Sequence, residues 1–295
     1  MSTELDTFWD AVDAELARYP MAPELQPLPM RSTDSSTTYA VRLTSLGPYR
    51  IFGYYSVPKG SARAPGLLLT PRYGSVNHVP DYHDRERYAV LQLMHRGQRL
   101  ADRPFAAEYP GLLTLGIHSP ETFIYRAIIA DCMRGADFLL SRREVDLDHV
   151  AVQGDDLALL TASRRAGFTA VQAHELLLYR LLAAAEVTDE YPIEELNDYL
   201  HTNPDSGPAV QHTLEFFDPL QHAPRIRATT LLASGDGAGD GPSGGGWLKP
   251  LYQAVGGPSE IYRLTHNGAV DHDWMDAWLA RQLGGQPRSR FLEPV

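Results

Sequence analysis

The chain is poor in cysteine and lysine, and it has no long apolar run. Its single cysteine, Cys132, excludes an internal disulfide. That thiol sits in the apolar helical stretch "YRAIIADCMRGADFLL", where a buried structural role is expected. Lys59 and Lys249 are the only lysines, and 26 basic residues face 37 acidic ones for a formal net charge of −11. With no basic stripe, that balance excludes nucleic acid as a partner. No stretch reaches the ~18 consecutive apolar residues of a membrane span. The first residues, "MSTELDTFWDAVDAELARYP", lack the basic start and apolar core of a signal peptide and read as an acidic amphipathic helix. The expected compartment is the cytoplasm. No internal repeat is visible.

What is there suffices for one large core. Hydrophobic residues make up 43% of the 295 and charged residues 21%, the balance of a globular domain. After the first helix and a proline-rich link, "TTYAVRLTSL" and "YRIFGYYSVP" alternate around Gly47-Pro48 and predict an antiparallel hairpin. "APGLLLTPRYG", "YAVLQLMHRG", "VDLDHVAVQG", "FTAVQAH" and "RATTLLASG" are short apolar bursts of the kind buried on both faces of a parallel sheet. Residues 119–142 predict the longest helix, capped by Ser119 with Pro120 at its first position. "LALLTASRRAG" predicts a shorter helix that Gly167 ends. The segment 175–222 is mainly helical and polar on one side, which predicts a cap inserted over the sheet. The order predicts an α/β fold: a mostly parallel sheet with helices on both faces and an antiparallel N-terminal hairpin.

Several stretches taken together carry a resemblance: "FWDAVDAELARYP", "GPYRIFGYYSVPKG", "HRGQRLAD", "LTLGIHSPETFIYRAIIADCMRGADFL", "TDEYPIEELNDYL", "TLEFFDPLQHA" and "YQAVGGPSEIYRLTHNG". From about residue 8 to about 270 the chain resembles the acetyl xylan esterase / cephalosporin C deacetylase family of α/β-hydrolases. The resemblance implies an α/β-hydrolase fold, removal of acetyl groups by a Ser-His-Asp triad, and assembly into a homo-oligomer.

The residues at the expected catalytic positions differ from that pattern. A nucleophile elbow needs small residues two before and two after the nucleophile, because strand and helix nearly touch there. Gly154 and Ala158 keep that spacing, but Asp156 stands where the family has serine. The family's acid aligns with Asp240, or with Asp236 in a shifted register. Its histidine follows Asn-Gly, where this chain has Asn267-Gly268-Ala269. His266 and His272 flank that slot, and His272 could enter the site only if the loop "GAVDHDW" is remodelled. The oxyanion motif reads "TPRYGS": Tyr73 is kept, while Pro71 and Arg72 alter the turn. The second oxyanion donor, the backbone N–H of Leu157, survives any non-proline side chain.

Three readings follow. In the first, the fold is repurposed for a small molecule, of the secondary-metabolite kind. Asp156 is then either a desolvated acid/base or merely part of a binding pocket. In the second, Asp156 attacks carbon as in dehalogenases and epoxide hydrolases, with His272 as base. In the third, an ester hydrolase uses a relocated triad; Ser163, inside a helix, is a poor candidate for its nucleophile. No cofactor or metal is implied.

Other signals have plainer explanations. Gly239-Asp240-Gly241-Pro242-Ser243-Gly244 matches a dinucleotide turn but lacks its acidic partner, and reads as a glycine-padded insertion. His78, Asp81, His83 and Asp84 fit no standard metal spacing and read as a solvated loop. Gln98, in "RGQ", is expected to support the pocket wall. Tyr125 and Arg126 are expected to pack, and Glu175 to line a changed site.

Overall fold

The computed structural model describes residues 2–235, 246–265 and 269–289. In chain order the elements are α1 (Ser2–Ala17), β1 (Glu24–Pro27), β2 (Ser36–Thr44), β3 (Arg50–Pro58), β4 (Ala64–Leu69), α2 (Tyr82–Arg87), β5 (Ala89–Met94) and α3 (Ile124–Leu140). Then come β6 (Val145–Gly154), α4 (Asp156–Arg164), β7 (Ala170–His174), α5 (Leu181–Ala185), α6 (Glu194–Thr202), α7 (Gly207–Glu215) and α8 (Pro219–His222). The last are β8 (Thr229–Ser234), α9 (Lys249–Ala254), β9 (Ser259–Arg263) and α10 (Ala269–Gln282).

Among the described residues the strands form one sheet of nine, ordered β1-β2-β3-β5-β4-β6-β7-β8-β9. β1, β2 and β3 pair antiparallel and β3 pairs antiparallel with β5, whereas every pairing from β5 through β4 to β9 is parallel. This is the α/β-hydrolase architecture. The hairpin is β2–β3, joined at Gly47, whose φ of +68° suits a residue without Cβ. The five predicted apolar bursts are β4, β5, β6, β7 and β8.

The alternation of side chains explains the layers. Val152, Val171, Ala173 and Leu232 face the larger core with Trp9, Phe138 and Leu159, from α1, α3 and α4. Ala151, Ala170, Leu231 and Ala233 face the opposite side, against Met275, Trp278 and Leu279 of α10. Each strand is apolar on both faces because each face is covered. Cys132 lies in the larger core and is fully buried.

Three expectations shift. α3 begins at Ile124 with Phe123 at its N-cap, rather than at Ser119 and Pro120. The chain doubles back just before it: Thr122 Oγ1 donates to the Gly116 carbonyl at 2.8 Å, and a Cβ on Gly116 would lie 2.1 Å from the Thr122 carbonyl oxygen. "GAVDHDW" is no loop beyond Gly268, since Ala269 onward is the start of α10. Part of the "HVPDYHDRE" stretch is helical too, with Asp81 accepting from the His83 N–H at 2.9 Å as the cap of α2. The segment between β7 and β8 holds α5 to α8, the helical material expected over the sheet. Among the described residues no helix is long and apolar enough to cross a membrane.

Candidate functional site

The C-terminal ends of parallel strands carry the ligand crevice in open α/β sheets. Here β6, β7 and β8 end side by side: Gly154 is level with Ala173, and His174 with Ala233. A cavity of about 610 Å³ lies over these ends. Its floor includes Gly154, Asp155, His174 and Ser234; Arg72 and Tyr73 form one side, and Glu190 to Ile193 the roof. That volume suits a small molecule.

The strand–turn–helix that should present a nucleophile is built from Gly154, Asp155 and Asp156. Gly154 is required: a Cβ there would come within 1.9 Å of Thr70 Oγ1 on the neighbouring strand's extension. Asp155 is the N-cap of α4, and its Oδ1 accepts the Leu157 N–H at 2.9 Å. Neither aspartate has positive φ, so the turn is not strained in that sense.

Asp156 is buried, 1% exposed, and does not line the cavity. Its Oδ2 accepts the N–H groups of Leu177 and, at 2.9 Å, of Leu178; its Oδ1 accepts that of Tyr179 at 2.9 Å. Both oxygens are committed to the backbone that leaves β7. The pocket-facing carboxylate is its neighbour Asp155. Burial pushes both carboxyls up. At Asp156 three backbone donors work against the rise, whereas Asp155 has the Leu157 donor and faces the charge of Asp156.

His174, which the sequence reading missed, ends β7 inside the site. Arg72 donates from Nη2 to its Nε2 at 3.0 Å and from Nη1 to Glu175 Oε2 at 3.3 Å. A guanidinium only donates, so Nε2 accepts and the ring proton sits on Nδ1. That Nδ1 is buried and has no hydrogen-bond partner among the described residues. Burial first, then the charge of Arg72, bring this histidine down to about 4, so it is neutral. Ser234 Oγ, at the end of β8, is likewise buried and without a partner among the described residues. Both residues stand at the end of an apolar strand, which was the signal for them.

The remaining sequence candidates fall as follows. Arg72, Tyr73 and Glu175 line the cavity. Glu175 adopts a left-handed φ of +55°, turning the chain sharply after β7. Gln98 supports the wall: its Nε2 donates to the Arg72 and Gly74 carbonyls at 2.9 and 2.7 Å, and its Oε1 accepts from His95 N and Asn77 Nδ2. Tyr73 donates to Glu195 Oε1 of α6 at 2.6 Å, while Glu195 Oε2 accepts the Gly111 N–H at 2.8 Å. His272 is exposed on α10 and lines a separate cavity of about 200 Å³, which Arg72 and His174 also border. It does not line the larger cavity. Ser163 donates to the Leu160 carbonyl within α4, and Arg126 pairs with Glu15 of α1, while Tyr125 is buried in the core. Asp240, Asp236, His266 and the glycine tract 239–244 lie outside the described residues. Among the described residues no three His, Cys, Asp or Glu side chains form a metal-binding group.

The chain matches the acetyl xylan esterase (AXE1) family over residues 1–237. It is 23% identical over 252 residues to the acetyl esterase Axe7A of Xylanibacter ruminicola, covering 79% of this chain and spanning 56% of that longer relative. Its fold superposes on the acetyl xylan esterase from Paenibacillus sp. R4 with a TM-score of 0.81 at 26% identity, over 95% of this chain and 94% of the other. Acetyl xylan esterase 1 from Thermoanaerobacterium sp. JW/SL YS485 gives a TM-score of 0.79 at 18% identity, over 95% and 93%.

Proposed function

Given that the chain belongs to the acetyl xylan esterase family, we propose that it keeps the family's pocket but not its ester hydrolysis. It takes a small molecule over the ends of β6, β7 and β8, with Asp155 as the proton-holding group. The observation that carries this reading is the Asp155–Leu157 contact. The N–H that would stabilise a tetrahedral oxyanion already donates to a carboxylate at 2.9 Å. The protein's own Asp155 side-chain oxygen already occupies that donor. The residue at the serine position, Asp156, has both oxygens engaged by backbone N–H groups. His174, the histidine at the cavity, is hydrogen-bonded to Arg72 rather than to a hydroxyl.

Within this reading the site has two modes of use. Asp155 can exchange a proton with a bound ligand, since it lines the cavity while Asp156 does not. Without such exchange the same contacts simply hold the ligand. The reading with Asp156 as a carbon nucleophile has less support, because attack would require a carboxylate to leave three backbone donors, with His272 outside the cavity.

The test is hydrolysis of 4-nitrophenyl acetate by the purified protein. The expected rate equals the buffer background, unchanged in His174→Ala. Turnover above background that disappears in Asp156→Asn or His174→Ala overturns the reading.

A further inference from the structure

Building on that pocket reading, we propose that the cavity selects a small organic ammonium ion with an apolar body. The charge of its lining points that way. Glu175 and Glu190 contribute carboxylates and Asp155 a further carboxyl group, and among the described lining residues the one guanidinium is that of Arg72, shared between Glu175 and His174. Glu190, exposed at the roof, forms no salt bridge among the described residues, and its backbone N–H bonds to Thr188 Oγ1. The lining therefore carries more negative than positive charge, and a cationic guest offsets the excess.

A second, independent feature points to a guest with N–H donors. Ser234 is 5% exposed, lines the cavity, and its Oγ has no hydrogen-bond partner among the described residues. Buried hydroxyls are nearly always paired, and its lone pairs can accept from an ammonium N–H. The aromatic wall adds electron-rich surface. Tyr73 and Tyr191 meet edge to face with centroids 5.9 Å apart, and Tyr191 is 51% exposed. Cations are attracted to such ring faces. Trp247 also borders the cavity but already carries the Arg180 guanidinium 4.1 Å from its ring centroid, so the tyrosines are the rings left for the guest. Leu176, Ile193 and Leu248 supply apolar contact for the rest of the molecule.

Three probes sharing one ring and differing in charge decide the matter: benzylamine, benzyl alcohol and benzoate, each titrated by calorimetry at pH 7.5. The expected result is saturable binding of benzylammonium about tenfold tighter than benzyl alcohol, with no binding of benzoate, and weakening as salt rises from about 20 to 500 mM. Glu190→Gln, at an exposed position, should weaken benzylammonium about threefold with no change in Tm, and Glu190→Gln with Asp155→Asn should weaken it further. The proposal is overturned if the alcohol or benzoate binds as well as the amine. It is equally overturned if the amine fails to saturate by about 10 mM, or if the variants leave its affinity unchanged. Acetate hydrolysis would sink the non-hydrolytic reading and leave this charge preference standing; preference for a neutral probe would do the reverse.

Discussion

Asp156 Oδ2 accepts the backbone N–H of Leu178 at 2.9 Å, which joins the first turn of α4 to the chain leaving β7. With Leu177 and Tyr179 donating to the same carboxylate, the residue at the apex of the bend is a structural anchor. Asp156→Ala leaves three buried donors unpaired and is expected to cost about 3–5 kcal/mol of stability, with Asp156→Asn about half as much. Urea unfolding of the three proteins measures this. A carboxylate open to a reaction pocket would instead be removable at little or no cost.

The approach of Gly154 to Thr70 gives a second expectation. Gly154→Ala drives a methyl to within 1.9 Å of Thr70 Oγ1. It should destabilise by about 2–4 kcal/mol. Thr70→Ala removes the offending oxygen and leaves a 3.2 Å approach to Thr70 Cβ. The double variant should therefore recover at least about half of the loss in a double-mutant cycle. Additive losses would mean that the contact is not the cause.

Asp218 makes a pH-dependent contribution of definite sign. Its side chain caps α8 through Leu220 N and accepts Arg180 N, yet burial raises its carboxyl to about 6. Because the folded value lies above the ordinary 3.8, the folded state binds the proton more tightly. The stability this gives is fully present below about pH 4 and is lost as pH rises through 6. Asp218→Asn keeps the cap without the buried charge. Its stability relative to wild type should rise by about 1–2 kcal/mol between pH 4.5 and pH 8 in guanidinium melts. A flat difference would refute the assignment.

The pairing of Arg72 with His174 predicts a single tautomer. With the guanidinium donating to Nε2 and burial holding the ring neutral at about 4, nitrogen-15 NMR should show a protonated Nδ1 and a bare Nε2 at pH 6. Arg72→Met should release the constraint and let both tautomers appear. An imidazolium signal at pH 6 in the wild type would contradict the geometry.

Much of this was legible beforehand, for identifiable reasons. Apolar bursts such as those of β4 and β7 mark strands covered on both faces, and the small residues Gly154 and Ala158 mark where strand and helix meet. Gln98 stands in "RGQ" and bonds to the backbone of Arg72 and Gly74 beside the cavity. The edge strand β9 escaped notice, because "SEIYR" is half exposed and lacks an apolar burst. Two adjacent aspartates were not separable by spacing: which one faces the cavity depends on the backbone donors of 177–179, which sequence does not reveal. His174 and Ser234 read as ordinary ends of buried strands; only the structure shows that His174 Nδ1 and Ser234 Oγ lack a hydrogen-bond partner among the described residues.

Glu195 shows how one side chain can hold the shape of a chamber. One carboxylate on α6 grips Tyr73, 122 residues away, and the N–H groups of Gly111 and Leu113, 84 and 82 residues away. Roof and wall are thereby riveted through a single carboxyl group. Such a rivet lets the groups around the chamber be exchanged one at a time while its shape persists.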